Sequence, residues 1–225
     1  MTRKAVRLTV ETFEAVADPG AASLFWELDP VRRARVPRDQ AASVKREWIQ
    51  GVQRDWGPCG RVVTVDDLPV GYALYAPAAF VPGAAAFPTA PVSADAVVLT
   101  RLWVSPEQRG GGLGRILVQS MAKDLVKRRA CAAVEAFGAT RRSDQVLPER
   151  FLSSVGFITQ RAHPNSPRMR MELRSAVKLR DEVEQALERL ARLLKPANGA
   201  AGEVSRSLGS VRSAVRSSDA LRRST

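Results

Sequence analysis

The sequence predicts an α/β fold with a C-terminal helical extension. Three observations carry that prediction. Runs with the two-residue period of strands alternate with runs of helical period. The most apolar run, Ala96 to Val104, passes through a glycine-rich turn straight into a long helical stretch. At 225 residues with 45% hydrophobic and 26% charged side chains, the chain can build one packed core plus an extension.

The elements follow in order. Val6, Leu8 and Val10 alternate with Arg7 and Thr9, which predicts a strand over residues 5–10. Helices are expected at about 11–29 and 38–54; in the second, Ala41, Val44, Trp48, Ile49 and Val52 share a face, between Pro37 and Gly57-Pro58. Arg61 to Val65 and Val70 to Ala76 read as a hairpin turning through Asp66 to Pro69. Residues 77–94, rich in Pro, Ala and Gly, read as a long irregular loop. After the strand Ala96–Val104, a helix is expected from about Gly112 to Arg129, with Ile116, Leu117, Met121 and Leu125 along its apolar stripe. Cys131 to Phe137 is a strand, Pro148 to Val155 a short helix, and Phe157 to Gln160 a further strand. Met169, Met171 and Leu173 close the domain by alternating with Arg168, Arg170 and Glu172. Ser175 to Leu194 reads as an amphipathic helix ended by Pro196, and residues 197–225 as a flexible tail. The divisions are 1–173 (globular domain), 174–195 (helix) and 196–225 (basic tail).

Composition narrows the function. No run approaches the roughly 18 apolar residues of a membrane span, and the basic N-terminus lacks the apolar segment of a secretory signal. Cys59 and Cys131 form neither a metal pattern nor a disulfide framework, and a single histidine, His163, leaves too few ligands for a zinc site. The expectation is a soluble cytoplasmic protein without a metal. The net charge is +12, and residues 174–225 carry 11 Lys/Arg against 6 Asp/Glu. Such a field favours polyanions (coenzyme phosphates, nucleic acid or anionic lipid) without choosing among them.

The chemistry concentrates between Thr100 and Leu117, where a strand enters a glycine loop that opens a helix. Glycine lets backbone approach an anion closely, and free N–H groups with the helix dipole favour a phosphate. Arg109 and Arg115 flank the loop. A P-loop would end in Lys-Ser or Lys-Thr, whereas Gly114 is followed by Arg115-Ile116; a dinucleotide fingerprint would need glycine at position 115. The pattern Arg109-x-x-Gly112-x-Gly114 after Val-Ser-Pro resembles the acetyl-coenzyme A loop of the GNAT superfamily of acyl-CoA-dependent N-acyltransferases. Phe151 to Phe157, with Gly156, is similar to that family's Phe-Tyr-x-x-x-Gly-Phe segment, and the element order fits from Val6 to Leu173.

The resemblance implies a GNAT-like central mixed, mostly antiparallel sheet flanked by helices. It also implies acetyl-CoA, or another acyl-CoA, as co-substrate. Backbone groups of Leu102, Trp103 and Val104 would pair with pantetheine. Arg109, Gly110, Gly111, Gly112, Leu113, Gly114 and Arg115 would take the pyrophosphate, and Phe151 would lie near the pantetheine arm. The family's tyrosine acid falls on Leu152 and its frequent glutamate base on Thr100, neither of which can do that work. Glu135, on the strand after the long helix, is the candidate base, with Tyr72 or Ser153 as lesser proton donors. Glu135 also reads as an ion-paired strand residue and Tyr72 as sheet packing, and Cys131 reads as a small buried hydrophobe instead of an acyl-carrying nucleophile.

The expected function is acetyl-CoA-dependent N-acetylation of a small-molecule or protein amine. The rival is a catalytically degenerate acyl-CoA-binding regulator whose basic tail makes weak nucleic-acid contacts. An outright DNA-binding protein ranks last, because no recognition-helix pattern is present. The stripe of the helix 175–194 serves either to cap the domain or to pair with a second copy as a homodimer.

Overall fold

Five α-helices and eight β-strands organise residues 1–173, which are the residues that the computed structural model describes. In chain order they are β1 (Arg3–Arg7), α1 (Val10–Glu14), α2 (Pro30–Ala34), α3 (Ala41–Asp55), β2 (Gly60–Val65), β3 (Leu68–Pro77) and β4 (Ala96–Val104). There follow α4 (Leu113–Arg128), β5 (Ala133–Ala139), β6 (Leu147–Pro148), α5 (Glu149–Ser154), β7 (Ile158–Arg161) and β8 (Arg168–Glu172). The expected helix 175–194 and the tail lie outside the described residues.

The strands form a single sheet in the order β1-β2-β3-β4-β5-β8-β7, with β6 beside β5. Only the β4–β5 and β5–β6 pairs are parallel, so the sheet is mixed and mostly antiparallel as expected. One face packs on α4 and α5 through Leu117, Met121, Leu125, Leu152 and Met169. The other packs on α1, α3 and the connections through Phe13, Trp26, Ile49, Tyr72 and Phe137.

Beyond shifts of two or three residues, such as β1 at Arg3–Arg7 against the expected 5–10 and β5 at Ala133–Ala139 against 131–137, three elements differ from the sequence expectation for local reasons. The helix expected over 11–29 stops at Glu14, because Asp18 turns its carboxylate back onto the Gly20 N–H at 2.7 Å and Pro19 has no N–H to continue a helix. The hairpin is tighter than expected: Asp66 and Asp67 both take left-handed φ (48° and 66°), so the turn needs two residues and β3 starts at Leu68. The loop 77–94 holds two short 3₁₀ turns and carries Phe87, which stacks on Trp26 and Phe137 at centroid distances of 5.2 and 4.2 Å.

The feature that creates the site is a parting of strands. β4 and β5 pair only at Ala96/Ala133, Val97/Val134 and Val98/Glu135. Beyond that point β4 stays with β3, Leu102 opposite Ala73 and Val104 opposite Gly71, while β5 stays with β8. A wedge opens between them.

Candidate active site

The loop after β4 is shaped by its glycines. Gly110 and Gly112 both have φ of +80°, a region side chains avoid, and a Cβ at either would meet no atom within 4 Å. The open space there faces outward from backbone, not into packing. Among the described residues, no protein acceptor takes the N–H of any residue from Gly110 to Arg115; the first bonded donor of α4 is Ile116, to Gly112 at 3.1 Å. Gly112 gives no side-chain cap, and the first turn has no acidic residue. Six donors and the positive helix end are thus left for a bound anion. Gly114 is constrained differently, since a Cβ there would lie 3.0 Å from the Phe151 ring.

Side chains brace this loop. Arg3, reaching over from β1, donates to the Gly111 carbonyl at 2.7 Å. Arg109 bonds back to the Val104 carbonyl at 2.9 Å, and Arg115 bonds to the Ser154 carbonyl at 2.9 Å, each leaving guanidinium donors over.

The wedge is a cleft of about 1010 Å³ that runs from the glycine loop to the connections around Asp18 and Gln145. Of the residues expected to hold a coenzyme, Leu102, Trp103, Val104, Arg109, Gly110, Gly112, Leu113, Gly114, Arg115 and Phe151 all line it. Gly111 does not; its carbonyl is occupied by Arg3. The strand edge at Leu102–Val104 turned toward β5 has no partner strand, which leaves main-chain groups along the wall apart from the Val104 carbonyl, taken by Arg109.

Glu135 is not brought to this cleft. Its side chain is 0% exposed, at the point where β4 and β5 separate, and accepts from the Ser93 N–H at 3.2 Å. Arg170 lies 3.3 Å and Arg168 3.5 Å from its oxygens. Its surroundings are those of an ion-paired strand residue. Thr100 sits at a bulge and donates to the Leu74 carbonyl at 3.1 Å, and Leu152 is sealed in the core, so neither lines the cleft. Tyr72 is buried with its hydroxyl 2.6 Å from Asp18, and burial pushes its pKa up, so it stays protonated. Ser153 is exposed and lies off the cleft lining.

Sequence reading missed Arg101 and Asp18. Arg101 grips Asp18 with Nε and Nη2, each at 2.8 Å, and its Nε also approaches the Tyr72 oxygen at 2.8 Å. The signal was a charged residue inside an otherwise apolar strand. Asp18 offered none beyond its position before Pro19-Gly20. Among the described residues there is no group of three or more metal-capable side chains, and no helix is long and apolar enough to cross a membrane.

Comparison with known proteins fits this geometry. The sequence profile of the acetyltransferase (GNAT) family matches residues 21–157. The fold is similar to that of the PaiA N-acetyltransferase from Thermoplasma acidophilum, solved in complex with coenzyme A. The TM-score is 0.51 at 15% identity, over 76% of this chain and 99% of that one. A second acetyltransferase structure gives 0.52 at 16% identity, again over 76% and 99%. No curated protein sequence matches.

Proposed function

The chain belongs to the GNAT acetyltransferase family, and from that premise we propose that it moves an acetyl group from acetyl-coenzyme A to an amine. The observation that carries the reading is the row of unbonded N–H groups from Gly110 to Arg115, set at the mouth of a cleft walled by an unpaired strand edge.

The residues present fit the coenzyme. The Gly110–Arg115 amides, the α4 N-terminus and the spare guanidinium donors of Arg109 and Arg115 suit a diphosphate. The free edge of Leu102–Val104 suits the amide groups of pantetheine, which would add to β4 as a short strand does. Phe151 and Leu102 give that arm an apolar flank. When bound, acetyl-coenzyme A supplies the activated thioester.

The protein's own part is positioning. The wall formed by β4 aligns a neutral amine with the thioester, which alone accounts for large accelerations. Main-chain N–H groups on the same edge are suited to polarise the thioester carbonyl. With Glu135 ion-paired elsewhere, we assign the amine's proton to water at the open end of the cleft.

The test is amine-dependent release of free thiol from acetyl-coenzyme A by the full chain, across a broad amine panel at pH 7 to 9. Turnover should rise with pH as the acceptor amine loses its proton. Tight coenzyme binding with no thiol release on any amine would contradict the proposal and favour a non-catalytic, ligand-binding protein.

A further inference from the structure

Away from the glycine loop, the cleft ends between two connections: residues 15–29, joining α1 to α2, and residues 140–146, joining β5 to β6. A polypeptide passing between them to deliver a lysine or an N-terminus to β4 would have to part them. The structure ties them together instead. Ser23 Oγ donates to Gln145 Oε1 at 2.6 Å, and Trp26 Nε1 donates to the Gln145 carbonyl at 3.0 Å. Between them Arg101 Nη1 reaches the Asp144 carbonyl at 3.2 Å.

Each anchor is itself fixed. Arg101 is clamped by Asp18, and Gly20 lies so close that a Cβ there would drive into the guanidinium. Trp26 is buried and stacked on Phe87. The next residue, Glu27, pairs with Lys45 of α3 at 2.5 Å with both side chains almost fully buried. Separating the connections would break the three cross-bonds and disturb this packing.

Resting on the acetyltransferase reading, we infer that the acceptor is a small-molecule amine, not a protein side chain or N-terminus. The cleft's size agrees, since about 1010 Å³ is at the top of the roughly 300–1,000 Å³ range of small-molecule sites and must hold both reactants. Charge agrees as well. Asp18, the buried carboxylate at this end, is neutralised by Arg101, and the one other acid on the lining, Asp144, stands two residues from Arg142, which lines it too, so the lining offers no acidic cluster to a lysine-rich tail. In the transfer, the amine nitrogen forms the C–N bond as the C–S bond breaks. The nitrogen's surplus proton goes to water, and coenzyme A leaves as thiolate, taking a proton from solvent.

The experiment compares kcat/KM of the full chain for small primary amines (amino acids, polyamines, arylalkylamines) and for unstructured peptides bearing free lysines and N-termini. Products are identified by mass spectrometry. The best small amine should exceed the best peptide by about tenfold or more. Equal or better use of peptides would overturn the inference. A Ser23→Ala/Gln145→Ala double variant, which removes the side-chain tie, should lower that preference roughly tenfold, whereas Gln145→Glu, which keeps an acceptor for Ser23, should hold it. An unmoved preference in the double variant would overturn the Ser23–Gln145 tie as its cause. Coenzyme binding measured separately by calorimetry keeps the two readings apart. Its absence would defeat the family-based function, whereas peptide preference with normal coenzyme binding would defeat only the acceptor assignment.

Discussion

Glu135 has the residue type of a general base and the surroundings of a structural ion. Arg168 and Arg170 face it from β8, and the Ser93 N–H completes its shell. Arg170 also holds Asp95 and Glu172, but among the described residues the buried Arg168 Nε has no hydrogen-bond partner beyond its approach to Glu135. Glu135→Ala therefore orphans chiefly Arg168. The expected loss is about 3 kcal/mol, the lower end for a broken buried pair, because Arg170 keeps its other carboxylates. Urea unfolding reads that loss, while kcat per folded molecule should hold. A collapse of kcat at unchanged stability would instead make Glu135 catalytic. Cys59 is similarly inert: burial pushes its thiol up to about 12.

At the scale of elements, β3 carries both tyrosines of the chain, Tyr72 and Tyr75, on opposite faces of the sheet. Burial raises the pKa of each above the ordinary 10.0, and the bonds to Asp18 and Asp124 act in the same direction. The sign is fixed by linkage. Below pH 10 both states hold the phenolic protons and stability is unaffected. Above it the unfolded chain releases protons that the folded chain keeps, so stability falls as pH rises. Tyrosinate absorbance at 295 nm should thus appear only together with unfolding. Titration of either tyrosine near pH 10 in the folded protein would contradict the burial.

Elements with a clear period were legible. β4 occupies the expected residues 96–104, and α4 and α5 start and end within a residue or two of expectation, because apolar spacing and glycine boundaries are local signals. The helix expected at 11–29 was not, since its termination depends on one carboxylate folding back onto Gly20. Lys45 was equally hidden. It sits within a run of helical period as a charge expected outside, yet it is buried against Glu27 from a different segment.

Across the whole molecule, the half of the cleft proposed to take the coenzyme could be read from sequence because one continuous stretch, Leu102 to Arg115, supplies nearly all of it. The acceptor half could not. Its contacts join residues far apart in the chain, 122 positions between Ser23 and Gln145 and 83 between Asp18 and Arg101. Even the loop depends on a distant brace, Arg3 to Gly111 across 108 positions. What unites the two halves is the early parting of β4 from β5, which turns a sheet into a cleft.

That architecture makes coenzyme binding the decisive property. Titration calorimetry of acetyl-coenzyme A into the parent and a Gly112→Val/Gly114→Val variant probes it directly. Valine at 112 must enter a left-handed φ, and valine at 114 presses on Phe151, so the amide row loses its shape. With circular dichroism confirming a folded variant, the dissociation constant should rise roughly a hundredfold or more, about 2.7 kcal/mol. Unchanged affinity would contradict the assignment of these amides to a diphosphate.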